Sequence, residues 1–175
     1  MWLLIPQLGA TVKFNDLTRQ AGLLKVCGYS VEFEIHSSTT EDRLSLVLLH
    51  DGLGSVSAWR DFPAELAGQT GAKVLVYSRY GYGHSTIRSK PLSINYLHQG
   101  ALQELPAVLQ ALGIENPVLF GHSDGASIAL IFAGAFPKKL SGLIVESSGF
   151  DAIAQALESL IAKKSTQQSV DYASR

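Results

Sequence analysis

Polar and apolar positions change their period several times along the chain, and each change marks an element. From Ser30 to His36, Val31, Phe33 and Ile35 alternate with Glu32 and Glu34, the period of a strand with one face in water. That pattern predicts an edge strand. The polar stretch Ser37 to Asp42 leads into Leu44-Ser45-Leu46-Val47-Leu48-Leu49, a nearly continuous apolar run of the kind parallel strands show when covered on both faces. It is expected at the centre of a sheet. After a glycine-rich loop, Trp59 to Ala67 reads as a helix and Lys73 to Tyr77 as a second buried strand. Leu97, Ala101, Leu102, Leu105, Val108, Leu109 and Leu112 recur at helical spacing, Gly113 follows as a stop, and Pro117 to Phe120 supplies the next strand. Ala126 to Phe136 predicts a buried helix, Leu143 to Val145 a further strand, and Ile153, Leu157, Leu160 and Ile161 a final amphipathic helix before a polar tail. This alternation of strand and helix predicts the α/β class: a mostly parallel central sheet flanked by helices, with right-handed crossovers.

Residues 1–22 carry no strong periodicity and are expected as an N-terminal extension to a domain over 23–175, which no internal repeat or Gly/Ser-rich linker divides. With 175 residues, 46% of them hydrophobic and 17% charged, the chain has the makeup of a globular domain; disorder, collagen and coiled coil are excluded. Fourteen Lys and Arg against fifteen Asp and Glu give a formal net charge of -1, with no long run of either sign, so neither nucleic acid nor a membrane surface is an expected partner. The longest near-apolar stretch, Ala126 to Phe136, falls short of the ~20 residues that span a bilayer. Trp2-Leu3-Leu4-Ile5 is halted by Pro6 and lacks a basic flank, which argues against a secretory signal. Cys27 is the only cysteine, so neither an intrachain disulfide nor a thiolate metal cluster is expected, and a reducing, cytoplasmic compartment fits.

The candidate chemistry lies at Gly121-His122-Ser123-Asp124-Gly125, which follows an expected strand directly and opens an expected helix. Gly-x-Ser-x-Gly in that context is a nucleophile elbow: a sharp turn that lifts a serine hydroxyl to a helix N-terminus. The pentapeptide alone also arises by chance in Gly- and Ser-rich loops; the strand before it and the helix after it favour the elbow. Gly121 and Gly125 would then be required because flanking chains approach too closely for a Cβ. The N–H of Asp124 would face a developing oxyanion, aided by the helix dipole.

Two further motifs stand upstream in order: His50-Asp51-Gly52-Leu53-Gly54 and Ser78-Arg79-Tyr80-Gly81-Tyr82-Gly83-His84-Ser85. With the elbow they make the chain resemble the α/β-hydrolase family, whose third strand is often followed by His-Gly-x-x-Gly and whose fourth by Asp-x-Arg-x-Gly-x-Gly-x-Ser. Asp51 stands at the first Gly place, and Ser78 where an Asp is common. The resemblance runs from about Leu23 to Glu146. It implies six strands, Ser123 as nucleophile, and an oxyanion hole made by the N–H groups of Gly52 and Asp124. It also implies a small-molecule substrate and neither metal nor organic cofactor. The related dehalogenases carry Asp at the centre of the elbow, so Ser123 favours acyl chemistry on an ester, thioester, amide or activated carbon–carbon bond.

A serine hydroxyl needs a base, and in this fold the acid and then the His follow the Ser in the chain. All five histidines, His36, His50, His84, His98 and His122, precede Ser123. Only 29 residues follow Glu146, where two more strand-and-helix units of roughly 30 residues each would be needed, so the last two strands are expected to be lacking. Asp151 reads as a helix N-cap and Asp171 as part of the tail. Among the histidines, His84 is the least remote surrogate base, although a solvated loop residue is the simpler reading. Asp124 is placed to give a backbone N–H rather than a triad carboxylate, and Arg79 to tie loops together rather than to bind a substrate carboxylate. Gly81-Tyr82-Gly83 lacks the third glycine of a dinucleotide fingerprint. The rival reading is a non-catalytic binding or regulatory protein with a hydrolase-like pocket. With the last strands lacking, Leu143-Ile144-Val145 would be an uncovered apolar edge, which predicts self-association.

Overall fold

A computed structural model describes residues 17–38 and 44–146. The expected helix around Ile153 to Ile161, and Asp151 and Asp171, lie outside the described residues. A six-stranded sheet is formed by β1 (Leu17–Val26), β2 (Tyr29–Ser38), β3 (Ser45–Leu49), β4 (Lys73–Tyr77), β5 (Val118–His122) and β6 (Gly142–Glu146), in the order β1-β2-β4-β3-β5-β6. The strands from β3 to β6 pair in parallel, and β2 joins β4 and β1 antiparallel. The α/β class with a mostly parallel sheet is as the alternation of the sequence implies.

Parallel strands need both faces covered, and the apolar runs provide for it. Val47, Leu49, Leu75 and Leu119 face one side, where they pack with Leu105, Val108, Ile128 and Phe132. Those partners come from α3 (Leu105–Ala111) and α4 (Asp124–Ala135). Leu46, Leu48, Val74 and Val76 face the other side and pack with Val56 and with Ala67 of α1 (Phe62–Thr70). The long periodic segment from Leu97 to Leu112 is not one regular helix: α2 (Tyr96–Gln99) passes through a π-helical turn, Gly100–Glu104, into α3.

Ser30 to His36 is a strand as its alternation predicts, but β2 is not at the edge. β1 lies outside it, so residues 17–22, placed with the extension for want of periodicity, are the first six residues of a ten-residue strand. The hairpin is closed by Cys27 and Gly28 at φ 51° and 85°, a turn with both central residues left-handed, which matches the twist of the flanking strands. β1 is exposed along most of its length, so no core face disciplines its sequence. At the opposite end β6 pairs only with β5 among the described residues, and Ile144 and Val145 are 52% and 41% exposed.

The order of the strands locates the site. From β3 the chain turns one way to β4, then crosses back to β5 on the other side, so the carboxyl ends of β3 and β5 flank a crevice at the point where the winding reverses. The loop from His50 leaves the first of these ends, and Ser123 the second.

Candidate active site

Ser123 links β5 to α4 at φ 51°, ψ -114°, a backbone conformation outside the regions open to most L-residues. The surroundings enforce it. A Cβ at Gly121 would overlap the carbonyl of Gly125 and the Cα of Ala126, and one at Gly125 would overlap the Leu49 carbonyl at the end of β3. The Ser123 N–H donates to the Glu146 carbonyl (2.9 Å), and its own carbonyl accepts the Ser127 N–H (3.1 Å) in the first turn of α4. Ser123 is half-buried, and among the described residues its hydroxyl has no hydrogen-bond partner.

Beside it lies the loop after β3. A Cβ at Gly52 would stand 3.1 Å from Oδ2 of Asp124, so the two expected oxyanion-hole residues are neighbours. Asp51, at the place where the resemblance leads to Gly, shapes this loop itself: its Oδ1 accepts the Leu53 N–H (2.6 Å) in an Asx turn. Gly54 is held close, since a Cβ there would come 2.9 Å from Cβ of His50.

His50 is buried and serves this loop as a brace. Its Nδ1 lies 2.7 Å from the Asp51 carbonyl, while Nε2 accepts the backbone N–H of Arg79 (3.0 Å), an arrangement that assigns the proton to Nδ1. Burial, and then the charge of Arg79, push the imidazole pKa down to about 4, so it is neutral at pH 7. Arg79 is buried as well. It donates from Nη2 to the Asp51 carbonyl (2.6 Å), and its Nη1 lies 3.6 Å from Oδ2 of Asp124. The guanidinium ties two loops together, the role the sequence favours for it. Tyr96 donates from Oη to the same carboxylate oxygen (3.1 Å). No feature of the sequence singles out Tyr96, because its partner is 28 positions away.

The histidines stand apart from Ser123. His84 is exposed and bonded to Glu32 of β2, with Nδ1 2.7 Å from Oε1, and this carboxylate raises its pKa. Glu32 also accepts the Ser78 hydroxyl (2.7 Å) and the His84 N–H (3.0 Å). It brings from β2 a carboxylate to the loop whose Asp place is occupied by Ser78. Burial pushes the Glu32 carboxyl up, but the His84 and Ser78 hydrogen bonds outweigh this and hold it below its ordinary range. His122 projects beside the elbow with Nδ1 3.4 Å from Oε2 of Glu146, too poorly aligned for a hydrogen bond. His36 faces Glu34 on β2. None of the five histidines hydrogen-bonds the Ser123 hydroxyl among the described residues. A cavity of about 250 Å³ beside the elbow is lined by His50, Asp51, Ala58, Trp59, His122 and Glu146.

The sequence pattern of the alpha/beta hydrolase fold matches residues 45–174. The chain belongs to the alpha/beta hydrolase family. Among curated relatives, the proline iminopeptidase of Lactobacillus delbrueckii subsp. lactis is 33% identical over 108 residues, which is 61% of this chain and 37% of that protein. The proline iminopeptidase of Saccharolobus solfataricus is 31% identical over 144 residues, 82% of this chain and 45% of that protein. Of solved structures, the proline iminopeptidase of Mycobacterium smegmatis superposes with a TM-score of 0.66 at 26% identity, covering 74% of this chain and 44% of the other. This alpha/beta hydrolase chain thus spans less than half the length of these relatives. Among the described residues no helix is long and apolar enough to cross a membrane.

Proposed function

We propose that this chain is the nucleophile-bearing part of a serine hydrolase that cleaves an acyl bond, with an amide of a small molecule or peptide as the favoured substrate. The observation that carries the reading is the juxtaposition at the crevice: a serine at φ 51°, ψ -114° on the β5–α4 turn, with Asp124 against Gly52. The likeness to proline iminopeptidases supports an amide over the ester, thioester and carbon–carbon alternatives. In this reading Ser123 Oγ attacks the acyl carbon and passes its proton to a base, the carbonyl oxygen takes up negative charge before the N–H groups of Gly52 and Asp124, and the C–N bond breaks as the amine accepts the proton. Water then hydrolyses the acyl-serine. Gly121 and Gly125 keep the turn tight.

None of the five histidines, all of which precede Ser123, is the base in this reading, and a chain that lacks such a base would keep binding and oxyanion stabilisation and lose acid–base catalysis. Cys27, the only cysteine of the sequence, accords with a cytoplasmic setting. The second reading, a non-catalytic binding protein, is favoured by the lack of any histidine on the Ser123 hydroxyl among the described residues. Self-association belongs to both readings and rests on the exposed Ile144 and Val145 of β6. Sedimentation that shows only a stable monomer overturns it. A fluorophosphonate probe separates the two readings: stoichiometric labelling that vanishes in Ser123→Ala supports the hydrolase, and a folded chain that stays unlabelled supports the binding protein.

A further inference from the structure

The Asp51 carbonyl and the Gly52 N–H belong to one peptide group. That group is trans, so the two bonds point in opposite directions. The carbonyl is gripped on one side by two donors, His50 Nδ1 at 2.7 Å and Arg79 Nη2 at 2.6 Å. The N–H therefore points away from the buried Arg79, and it has no hydrogen-bond partner among the described residues. The same guanidinium reaches with Nη1 toward Asp124, the residue that abuts Gly52 on the other side. One planar cation thus faces both partners of the expected oxyanion hole, and a charge-assisted bond to a carbonyl also makes the opposite N–H a stronger donor.

We propose that Arg79 is the positioning residue of the oxyanion hole: it fixes the direction of the Gly52 N–H through the Asp51 carbonyl and sets the spacing to Asp124 through its carboxylate. This rests on the serine-hydrolase reading of Ser123. The forked guanidinium is essential to the role, since two partners on different loops must be held from one rigid plane; an ammonium is a point donor and satisfies one of them. His50 is the second grip on the same carbonyl, and its neutral form leaves Nε2 free to accept from the Arg79 backbone.

The test uses the 175-residue chain and two measurements: the rate of fluorophosphonate labelling, and the position of the Gly52 amide resonance in unlabelled protein. In Arg79→Gln the labelling rate falls about 100-fold and in Arg79→Lys about tenfold, with the Gly52 amide proton moving upfield in both as its peptide loses polarisation. Arg19→Gln is the control. Arg19 of β1 pairs with Glu34 of β2, away from the crevice, so labelling of this variant continues at the wild-type rate. Labelling of Arg79→Lys and Arg79→Gln at the wild-type rate, or a Gly52 resonance that stays in place in both, overturns the proposal. Should the wild-type chain not label, the Gly52 resonance alone decides whether Arg79 holds that peptide.

Discussion

A methyl group added at Gly125 would overlap the backbone carbonyl of Leu49, whereas one added at Gly52 would meet only the tip of the Asp124 side chain, 3.1 Å away. The two glycines lie on turns that face each other, yet they are constrained by different physics. The elbow is held by backbone against backbone: α4 starts so close to β3 that nothing can give way. The loop after β3 is held by side chains, namely the Asx turn of Asp51, the His50 ring and the Arg79 guanidinium. Packing of the first kind tolerates no substitution, while hydrogen bonding of the second kind can be achieved with different residues. This is why Asp51 stands at a place where Gly is common without disturbing the approach of Gly52 to Asp124.

The contrast breaks or holds on measured stabilities. Gly125→Ala carries the largest effect, a loss of about 3 kcal/mol or more, because backbone must move to admit the Cβ; denaturant unfolding within about 1 kcal/mol of wild type would show that the elbow yields after all. Next is the pH dependence of the side-chain-held loop. His50 has a pKa of about 4 in the folded chain against an ordinary 6.5 when unfolded, so below pH 6.5 the unfolded chain takes up the proton first and stability falls with pH until about 4. Between about pH 7 and 4.5 this amounts to a loss of about 2 kcal/mol. In His50→Gln that slope is absent, as unfolding curves at the two pH values will reveal. Ser123→Gly acts in the opposite direction: relief of the φ 51° conformation, less the entropy a glycine adds to the unfolded chain, raises stability by about 1 kcal/mol. A destabilised Ser123→Gly would mean that the turn is not strained. The smallest effect is that of Gly52→Ala, a loss of under about 1 kcal/mol by thermal unfolding, since the tip of the Asp124 side chain, held by Tyr96 and Arg79, must give by a few tenths of an ångström.

The same division explains what the sequence discloses. The strands β3 to β6 and helix α4 were legible because their apolar residues face a core on fixed periods, and the elbow was legible because its constraint is written as a pair of glycines, Gly121 and Gly125, set around the serine. β1 was not, since most of its residues face solvent and no periodicity is demanded of them. Nor was the position of β2, which depends on whether another strand pairs outside it. Within the site, Tyr96, and Glu32 as the partner of Ser78 and His84, carry no mark in the sequence because each acts on a residue tens of positions away. Arg79 was recognisable as a loop tie but not as a grip on the Asp51–Gly52 peptide, which emerges only from atomic distances. Of the acid and base expected after Ser123, no histidine stands there in these 175 residues, and Asp151 and Asp171 lie outside the described residues.

The π-helical turn between Tyr96 and Leu105 bears on how this segment is counted. A π turn holds one residue more than the α turn it replaces, so positions before Gly100 are offset by about 100° from the wheel that describes Leu105 and Val108. Glu104, at the end of the widening, lies buried with its Oε2 accepting the Tyr29 hydroxyl and the Tyr80 N–H. The surplus residue is thus a phase adjuster: it lets one rod keep Leu105 and Val108 on the sheet while turning the preceding stretch so that Tyr96 meets Asp124.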